Sequence, residues 1–94
     1  RLDNGHPGDI LREDFLIGDE IPLEEVALGS GIDVARLAAL VASKLDVDAE
    51  IDARLTRYFG MSEGFFLRLQ NSYDLEEVRT HQAEALDRIV PRAA

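Results

Sequence analysis

The hydrophobic residues of this chain recur three to five positions apart over most of its length, which is typical of amphipathic α-helices. Ile10, Leu11 and Phe15 predict an apolar helix face over residues 7–17, and Gly18 interrupts the pattern. Strict alternation of apolar and polar positions, which would indicate a half-buried strand, is almost absent. The chain is therefore predicted to be all-α, with five or six helices.

Residues that favour helix ends mark the boundaries of the remaining helices. Aspartate and serine cap helix N-termini, proline suits the first turn, and glycine often follows the last turn. These rules predict a helix of residues 22–29 that Pro22 opens, a helix of residues 34–43 capped by Asp33, a helix from Asp48 to Gly60, a helix capped by Ser62, and a C-terminal helix 74–90 capped by Asp74 together with Glu77. The aromatic residues between Tyr58 and Tyr73 are expected to lie mainly in the core.

Length and composition predict one domain, residues 1–94, with its core at about residues 6–78, because a chain of 94 residues supports one modest core. The chain has no cysteine, and no motif joins His6 to His81, so neither a metal site nor a cofactor site is predicted. His6 is expected to serve as a cap or turn contact. No apolar run approaches the roughly 20 residues of a membrane-spanning helix. We expect a cytoplasmic protein, with further residues upstream of Arg1.

The charge of the chain disfavours generic nucleic-acid binding. There are 19 acidic and 10 basic residues, for a net charge of -9. DNA affinity comes largely from lysine and arginine, which neutralise phosphates and release counterions. Between residues 21 and 60 the basic residues are Arg36, Lys44, Arg54 and Arg57, against seven acidic residues. We therefore expect weak binding to generic duplex DNA at physiological salt.

The predicted helices 22–29 and 34–43 are joined by a short glycine-containing segment, Gly29-Ser30-Gly31-Ile32. Two short helices with such a turn form a helix-turn-helix, whose second helix lies in the DNA major groove. Many helical bundles contain a similar turn. The geometry alone therefore leaves the function of this pair open.

The segments on either side of the helix pair carry a family resemblance. The first is His-Pro-Gly-Asp-Ile-Leu-Arg-Glu-Asp-Phe at residues 6–15, and the second includes Arg-Tyr-Phe-Gly at 57–60, Phe-Phe-Leu-Arg-Leu-Gln at 65–70 and Tyr-Asp-Leu-Glu at 73–76. Both resemble the HigA-type antitoxins, a branch of the lambda-repressor-like (XRE) helix-turn-helix family, although Phe66 replaces a tryptophan. The resemblance covers roughly residues 6–78 and implies a lambda-repressor-like helix-turn-helix domain.

The helix pair itself departs from the family pattern. Family members usually open the second helix with Ser-Gln, where this chain has Pro22-Leu23, and their recognition helix starts with small polar and basic residues, where this chain has Asp33-Val34-Ala35. The family's Asn-Gly-Lys-Arg turn corresponds to residues 42–45. Arg36 and Lys44 keep the expected character, and they are the DNA-binding residues that the resemblance implies.

Several features of the pair have two interpretations. Asp33 either caps its helix or repels phosphates, and we favour the cap. Arg36 is either a contact to a base or phosphate or an ordinary surface arginine. The alanine-rich stretch 35–42 either packs closely against neighbouring helices or forms a surface for a partner protein.

Two hypotheses for the function follow. In the first, the resemblance implies an antitoxin and transcriptional regulator that dimerises, binds operator DNA in its own promoter and neutralises a basic RelE-like mRNA-cleaving toxin. In the second, the chain is a helix-turn-helix scaffold that has lost DNA binding and acts only as a protein-binding module. An enzyme is not expected, because no nucleophile, metal histidine or glycine-rich loop accompanies the many carboxylates.

Overall fold

The computed structural model describes residues 5–93, so Arg1 and the extension expected upstream of it lie outside the described residues. The elements are α1 (Pro7–Ile10), a π-helical segment (Leu11–Ile17), α2 (Leu23–Ser30), α3 (Val34–Val41), α4 (Ala49–Phe59), α5 (Phe65–His81) and α6 (Ala83–Asp87). Within that range every regular element is helical, which confirms the predicted all-α class. None of the described helices is long and apolar enough to cross a membrane.

The buried histidine His6 begins the first helix as its N-cap. Its Nδ1 accepts a hydrogen bond of 2.9 Å from the Gly8 N–H. The ring proton therefore lies on Nε2, which is 3.1 Å from Oδ1 of Asp46. The ring also meets Tyr73 of α5 edge-on, with ring centroids 5.1 Å apart. The predicted role of His6 as a cap is confirmed, and the same side chain joins α1 to α5 and to the loop before α4.

The predicted helix over residues 7–17 is present, but its second half is a wider π-helix. The Gly18 N–H donates to the Glu13 carbonyl at 3.0 Å, which is a five-residue spacing. Residues five apart in a π-helix lie almost one turn above each other. Leu11 and Leu16 can therefore both enter the core, and both are buried.

Apolar side chains from the π-helical segment, α2, α3, α4, the start of α5 and the connections between them form one core. Its buried members are Leu11, Leu16, Val26, Ala27, Ile32, Leu37, Leu40, Val47, Ile51, Leu55 and Phe66. Of the aromatic residues predicted to be in the core, Phe66 is fully buried, and Tyr58, Phe59, Phe65 and Tyr73 are half-buried. The Phe15 ring packs on Phe59, with centroids 4.9 Å apart, and joins the first helix to α4.

The turn from α4 to α5 is organised by Asp52, a buried residue of α4. Its carboxylate accepts hydrogen bonds from the backbone N–H groups of Gly64 at 2.7 Å, Phe66 at 2.8 Å and Leu67 at 3.1 Å. The prediction that Ser62 caps this helix is wrong. The first N–H groups of α5 are bound by a side chain from another helix instead.

The predicted boundary at residues 71–73, the Asp74 cap and the C-terminal helix 74–90 are also wrong. Helix α5 continues through this region to His81, and α6 ends at Asp87. The Asp74 carboxylate accepts a 3.0 Å hydrogen bond from Gln70 Nε2, while Gln70 Oε1 accepts one from the Val47 N–H at 2.8 Å. Asp74 therefore forms a hydrogen bond within a continuous helix and does not cap a helix N-terminus.

The Tyr73 hydroxyl donates a hydrogen bond to Glu77 Oε1, four positions further along α5, at 3.0 Å. This hydrogen bond, together with burial and the charges of nearby carboxylates, raises the pKa of the Tyr73 phenol above its ordinary value.

The outer half of α5 carries little tertiary packing. From Asp74 to Ala93 every described residue is exposed. His81 is among these exposed residues.

Candidate nucleic-acid interface

The helix pair α2–α3 is joined by a turn of three residues, 31–33. Gly31 adopts a left-handed conformation with φ of 74° and donates its N–H to the Ala27 carbonyl at 3.0 Å, which ends α2. The Ser30 hydroxyl oxygen then accepts from the N–H of buried Ile32 at 3.3 Å. The turn is shorter than the predicted segment 29–32 because α2 continues through Gly29 and Ser30.

Helix α4 supports the C-terminal end of α2 through two side chains. The Tyr58 ring lies against Gly29 so closely that a Cβ at this position would overlap the ring. Arg54 Nη1 donates to the Ser30 carbonyl at 3.2 Å. The last carbonyls of a helix lack partners within the helix, so this bond satisfies one of them. These contacts with α4 thus hold the C-terminal end of α2, where the helix pair turns, in place.

Asp33 is the N-cap of α3. Its Oδ2 accepts hydrogen bonds from the N–H groups of Ala35 at 3.1 Å and Arg36 at 3.3 Å. This geometry confirms the capping interpretation. A carboxylate at this position also complements the positive end of the helix dipole.

Apart from Arg36, the solvent-facing side of α3 carries mainly small apolar side chains. Leu37 and Leu40 are buried, whereas Val34 remains 46% exposed and Ala35 and Ala42 are exposed. One side of the alanine-rich stretch therefore packs in the core. The other side offers methyl groups where major-groove readers usually present hydrogen-bonding side chains. Its predicted contact with a partner protein stays a prediction.

Arg36 lies in the first turn of α3, close to two carboxylates at the start of α4. Its Nη2 is 3.7 Å from Asp48 Oδ2, and its Nη1 is 4.0 Å from Glu50 Oε1. The Arg36 side chain remains 42% exposed. It is thus accessible to a phosphate or base, yet its charge is partly neutralised within the protein.

Lys44 follows the C-terminal end of α3. Ser43 takes a left-handed conformation with φ of 60°, and the Lys44 N–H donates to the Ala39 carbonyl at 2.9 Å, as in a Schellman motif. The Lys44 side chain is exposed and makes no ion pair with the described residues. Arg36 is the third residue of α3, and Lys44 lies three residues beyond Val41, the last residue of α3. The two predicted DNA-binding residues therefore mark opposite ends of α3.

Sequence patterns did not single out Glu50, which lies at the start of α4 close to Arg36. Its Oε2 accepts a 3.0 Å hydrogen bond from Arg54 Nε. The i,i+4 spacing could have predicted that pair. The approach of Glu50 to Arg36 joins two helices, and no local pattern indicates it.

The surroundings of the helix pair are acidic. Glu24 and Glu25 are exposed in the first turn of α2, directly after Leu23. Arg57, in the last turn of α4, is exposed. The pair therefore has helix-turn-helix geometry with an unusually low density of positive charge.

Comparison with known proteins places this geometry in context. No protein-family model matches the chain. Virulence-associated protein I of Dichelobacter nodosus is 29% identical over 86 residues, which cover 92% of this chain and 79% of that protein. The Pseudomonas aeruginosa antitoxin HigA, solved with the higBA promoter, aligns with a TM-score of 0.86 and 27% identity, covering 97% of this chain and 100% of that chain.

Two further solved structures are similar. A Pseudomonas aeruginosa protein in complex with its 18-base-pair operator DNA has a TM-score of 0.89 and 27% identity, and the alignment covers 100% of both chains. An addiction module antidote protein of a HigA family from Coxiella burnetii has a TM-score of 0.87 and 25% identity, covering 97% of this chain and 100% of that chain.

The fold and the helix pair together define an all-α helix-turn-helix protein, in agreement with the fold that the resemblance implied. Within that class the resemblance to the HigA-type antitoxins is confirmed, because structures of HigA antitoxins match the chain along nearly its whole length.

Proposed function

We propose that this chain is a HigA-like antitoxin that regulates transcription by binding operator DNA in its own promoter. The observation that carries the proposal is the match, over 97% of the chain, to an antitoxin HigA solved with promoter DNA. The exposed surface of α3, with Arg36 and Lys44 at its ends, supports it. The chain would act by binding rather than by catalysis, in the cytoplasm.

We further propose that the chain binds its operator as a homodimer. Leu75 and Val78 of α5 are exposed, as are Ile89 and Val90 beyond α6. Apolar side chains grouped on one projecting part of a small protein favour association. A dimer would also double the few cations available to DNA, and DNA affinity depends strongly on the number of phosphates neutralised.

The second partner in this proposal is a basic RelE-like toxin. The net charge of -9 supports it, since an acidic protein and a basic one attract each other and associate faster. Binding of the toxin would also remove repulsion between the acidic antitoxin and DNA. Repression that is stronger in the complex than in the free antitoxin is the expected consequence.

A gel-shift series on the chain's upstream promoter, at several salt concentrations, tests DNA binding. We expect a salt-dependent shift that Arg36→Ala and Lys44→Ala each weaken, with the slope of log K against log salt reduced by about one for a lost phosphate contact. Arg68→Ala is the matched control, because Arg68 is an exposed cation of α5 that lies outside α3 and apart from the exposed apolar positions of the C-terminal segment. An equal loss of promoter affinity in all three variants would contradict a role of α3 in DNA binding.

The protein-binding scaffold remains the second candidate, favoured by the carboxylates that contact Arg36 and Arg54 and by the exposed Val34. It predicts no shift by the free protein at any salt concentration, and none by a complex co-purified with the toxin. A shift by that complex alone would instead support repression that depends on the toxin. Strong binding by the free protein that Arg36→Ala abolishes would exclude the scaffold.

A further inference from the structure

We propose that Glu50 restrains DNA binding in this chain by engaging Arg36, so that Glu50 sets the affinity of the α3 surface for the DNA backbone. The inference rests on the proposed function, because it concerns the regulation of the same surface. It assigns Glu50 a role beyond that of a charge at a helix end.

The contacts of Arg36 identify the competing groups. Both terminal nitrogens of its guanidinium face carboxylates at the start of α4, with Nη1 4.0 Å from Glu50 and Nη2 3.7 Å from Asp48. Guanidinium groups use these same nitrogens to grip phosphate oxygens. A phosphate that binds Arg36 through these nitrogens would therefore compete with the two carboxylates for the charge of the guanidinium.

The carboxylates also oppose DNA by repulsion. Their side chains are 61% exposed for Asp48 and 57% exposed for Glu50, so neither charge is shielded by the protein. A phosphate that contacts Arg36 would lie within the Debye length of about 8 Å from both. Competition and repulsion thus act in the same direction, and together they lower the affinity for duplex DNA.

Glu50 is the carboxylate whose removal isolates this effect. Asp48 is the N-cap of α4 and accepts the Ile51 N–H at 2.9 Å, so replacing it would also damage the helix. Among the described residues, the Glu50 carboxylate contacts only the side chains of Arg36 and Arg54. When Glu50 is neutralised, Arg54 should keep its bond to the Ser30 carbonyl, whereas Arg36 should lose one of its two carboxylate contacts.

The test measures promoter binding by wild type and Glu50→Gln across a salt series. Exposed ion pairs are weak, so we expect Glu50→Gln to bind about two- to fivefold more tightly at low salt. The slope of log K against log salt should become steeper by up to about one. Glu25→Gln is the matched control: Glu25 is also exposed on the helix pair and makes no ion pair with the described residues. Its gain should be smaller.

A double-mutant cycle with Arg36→Ala assigns the gain to Arg36. If Glu50 acts through Arg36, Glu50→Gln should give little or no gain in the Arg36→Ala background. A full gain in that background, an equal gain from Glu25→Gln, or weaker binding by Glu50→Gln would each overturn the inference. Thermal unfolding of each variant checks that the helix pair is intact.

The outcomes separate this inference from the proposed function. Binding by the wild type with unchanged affinity in Glu50→Gln would overturn the inference and leave the proposed function standing. Binding by Glu50→Gln alone would support the inference while contradicting operator binding by the free wild-type chain. Absence of binding by every variant would contradict both, because release of Arg36 would then have produced no affinity.

Discussion

Asp52 shows how one buried side chain can set the position of a whole helix. Burying a carboxylate is costly unless its oxygens accept hydrogen bonds, and Asp52 accepts three from backbone N–H groups at the start of α5. The positive end of the α5 dipole favours the same charge. Asp52 thus links the core of α4 to the direction in which α5 leaves it.

Replacing Asp52 by alanine should lower the free energy of unfolding by about 2–4 kcal/mol, because buried N–H groups would be left without partners. Chemical denaturation with far-UV circular dichroism measures this loss. Asp48→Ala is the matched control, since Asp48 caps α4 through one hydrogen bond at the surface. It should cost about 1 kcal/mol. Equal losses from the two variants would contradict the special role of Asp52.

The first helix, which comprises α1 and the π-helical segment, holds the C-terminal end of α3 against the rest of the domain. Arg12 Nη1 donates to the Val41 carbonyl at 2.8 Å, and the Ser43 hydroxyl donates to Asp9 at 2.8 Å. Gly8 allows this approach, because its Cα faces the Leu40 carbonyl with no room for a side chain. The C-terminal end of α3 is therefore fixed by α1.

Gly8→Ala should separate α1 from α3 and lower the free energy of unfolding by about 3 kcal/mol, because a backbone carbonyl cannot move aside as a side chain can. Equilibrium denaturation is the measurement. Gly60→Ala serves as the comparison: Gly60 has a φ of 68° with open space around it, so only conformational strain of about 1–2 kcal/mol is expected. A smaller loss for Gly8→Ala than for Gly60→Ala would contradict the close approach.

Helix ends were predictable from the sequence wherever the cap is local. Asp33 and Asp48 accept N–H groups two or three positions ahead, and both were identified as caps. The start of α5 was not, because Asp52 lies twelve positions before Gly64 and belongs to another helix. Asp74 shows the opposite error, since a capping pattern also fits a residue that hydrogen-bonds Gln70 inside a helix.

The candidate site was predictable to the same extent. The resemblance directed attention to Arg36 and Lys44, and the structure places them at the two ends of α3. The contact of Arg36 with Glu50 could not be predicted, because it depends on how α4 packs behind the helix pair. Contacts between helices decide how much of each charge is available to DNA.

At the scale of the whole molecule, the chain consists of a packed body and a projecting arm. Its extents are 51 × 25 × 22 Å, and its radius of gyration of 15.8 Å exceeds the roughly 12 Å expected for a compact domain of this length. The arm comprises the outer half of α5, α6 and the residues that follow α6, and all its described residues are exposed. An arm that carries exposed apolar side chains is suited to pairing with a second copy.

Charges placed on the apolar positions of the arm should therefore disrupt the proposed homodimer. We expect the double variant Leu75→Asp/Ile89→Asp to sediment as a monomer under conditions in which the wild type is a dimer, because two carboxylates per chain would have to be buried at the contact. Leu28→Asp is the matched control. Leu28 is 87% exposed on α2 and lies outside the arm. Its variant should remain dimeric.

Promoter binding by the same variants connects the arm to function. If pairing through the arm brings two α3 surfaces to one operator, the double variant should bind its promoter about tenfold or more weakly, since each copy would neutralise phosphates alone. Circular dichroism should show an unchanged helix content, because the substituted positions contribute nothing to the core. A double variant that remains a dimer, or a wild type that is monomeric at micromolar concentration, would exclude the arm as the dimer contact.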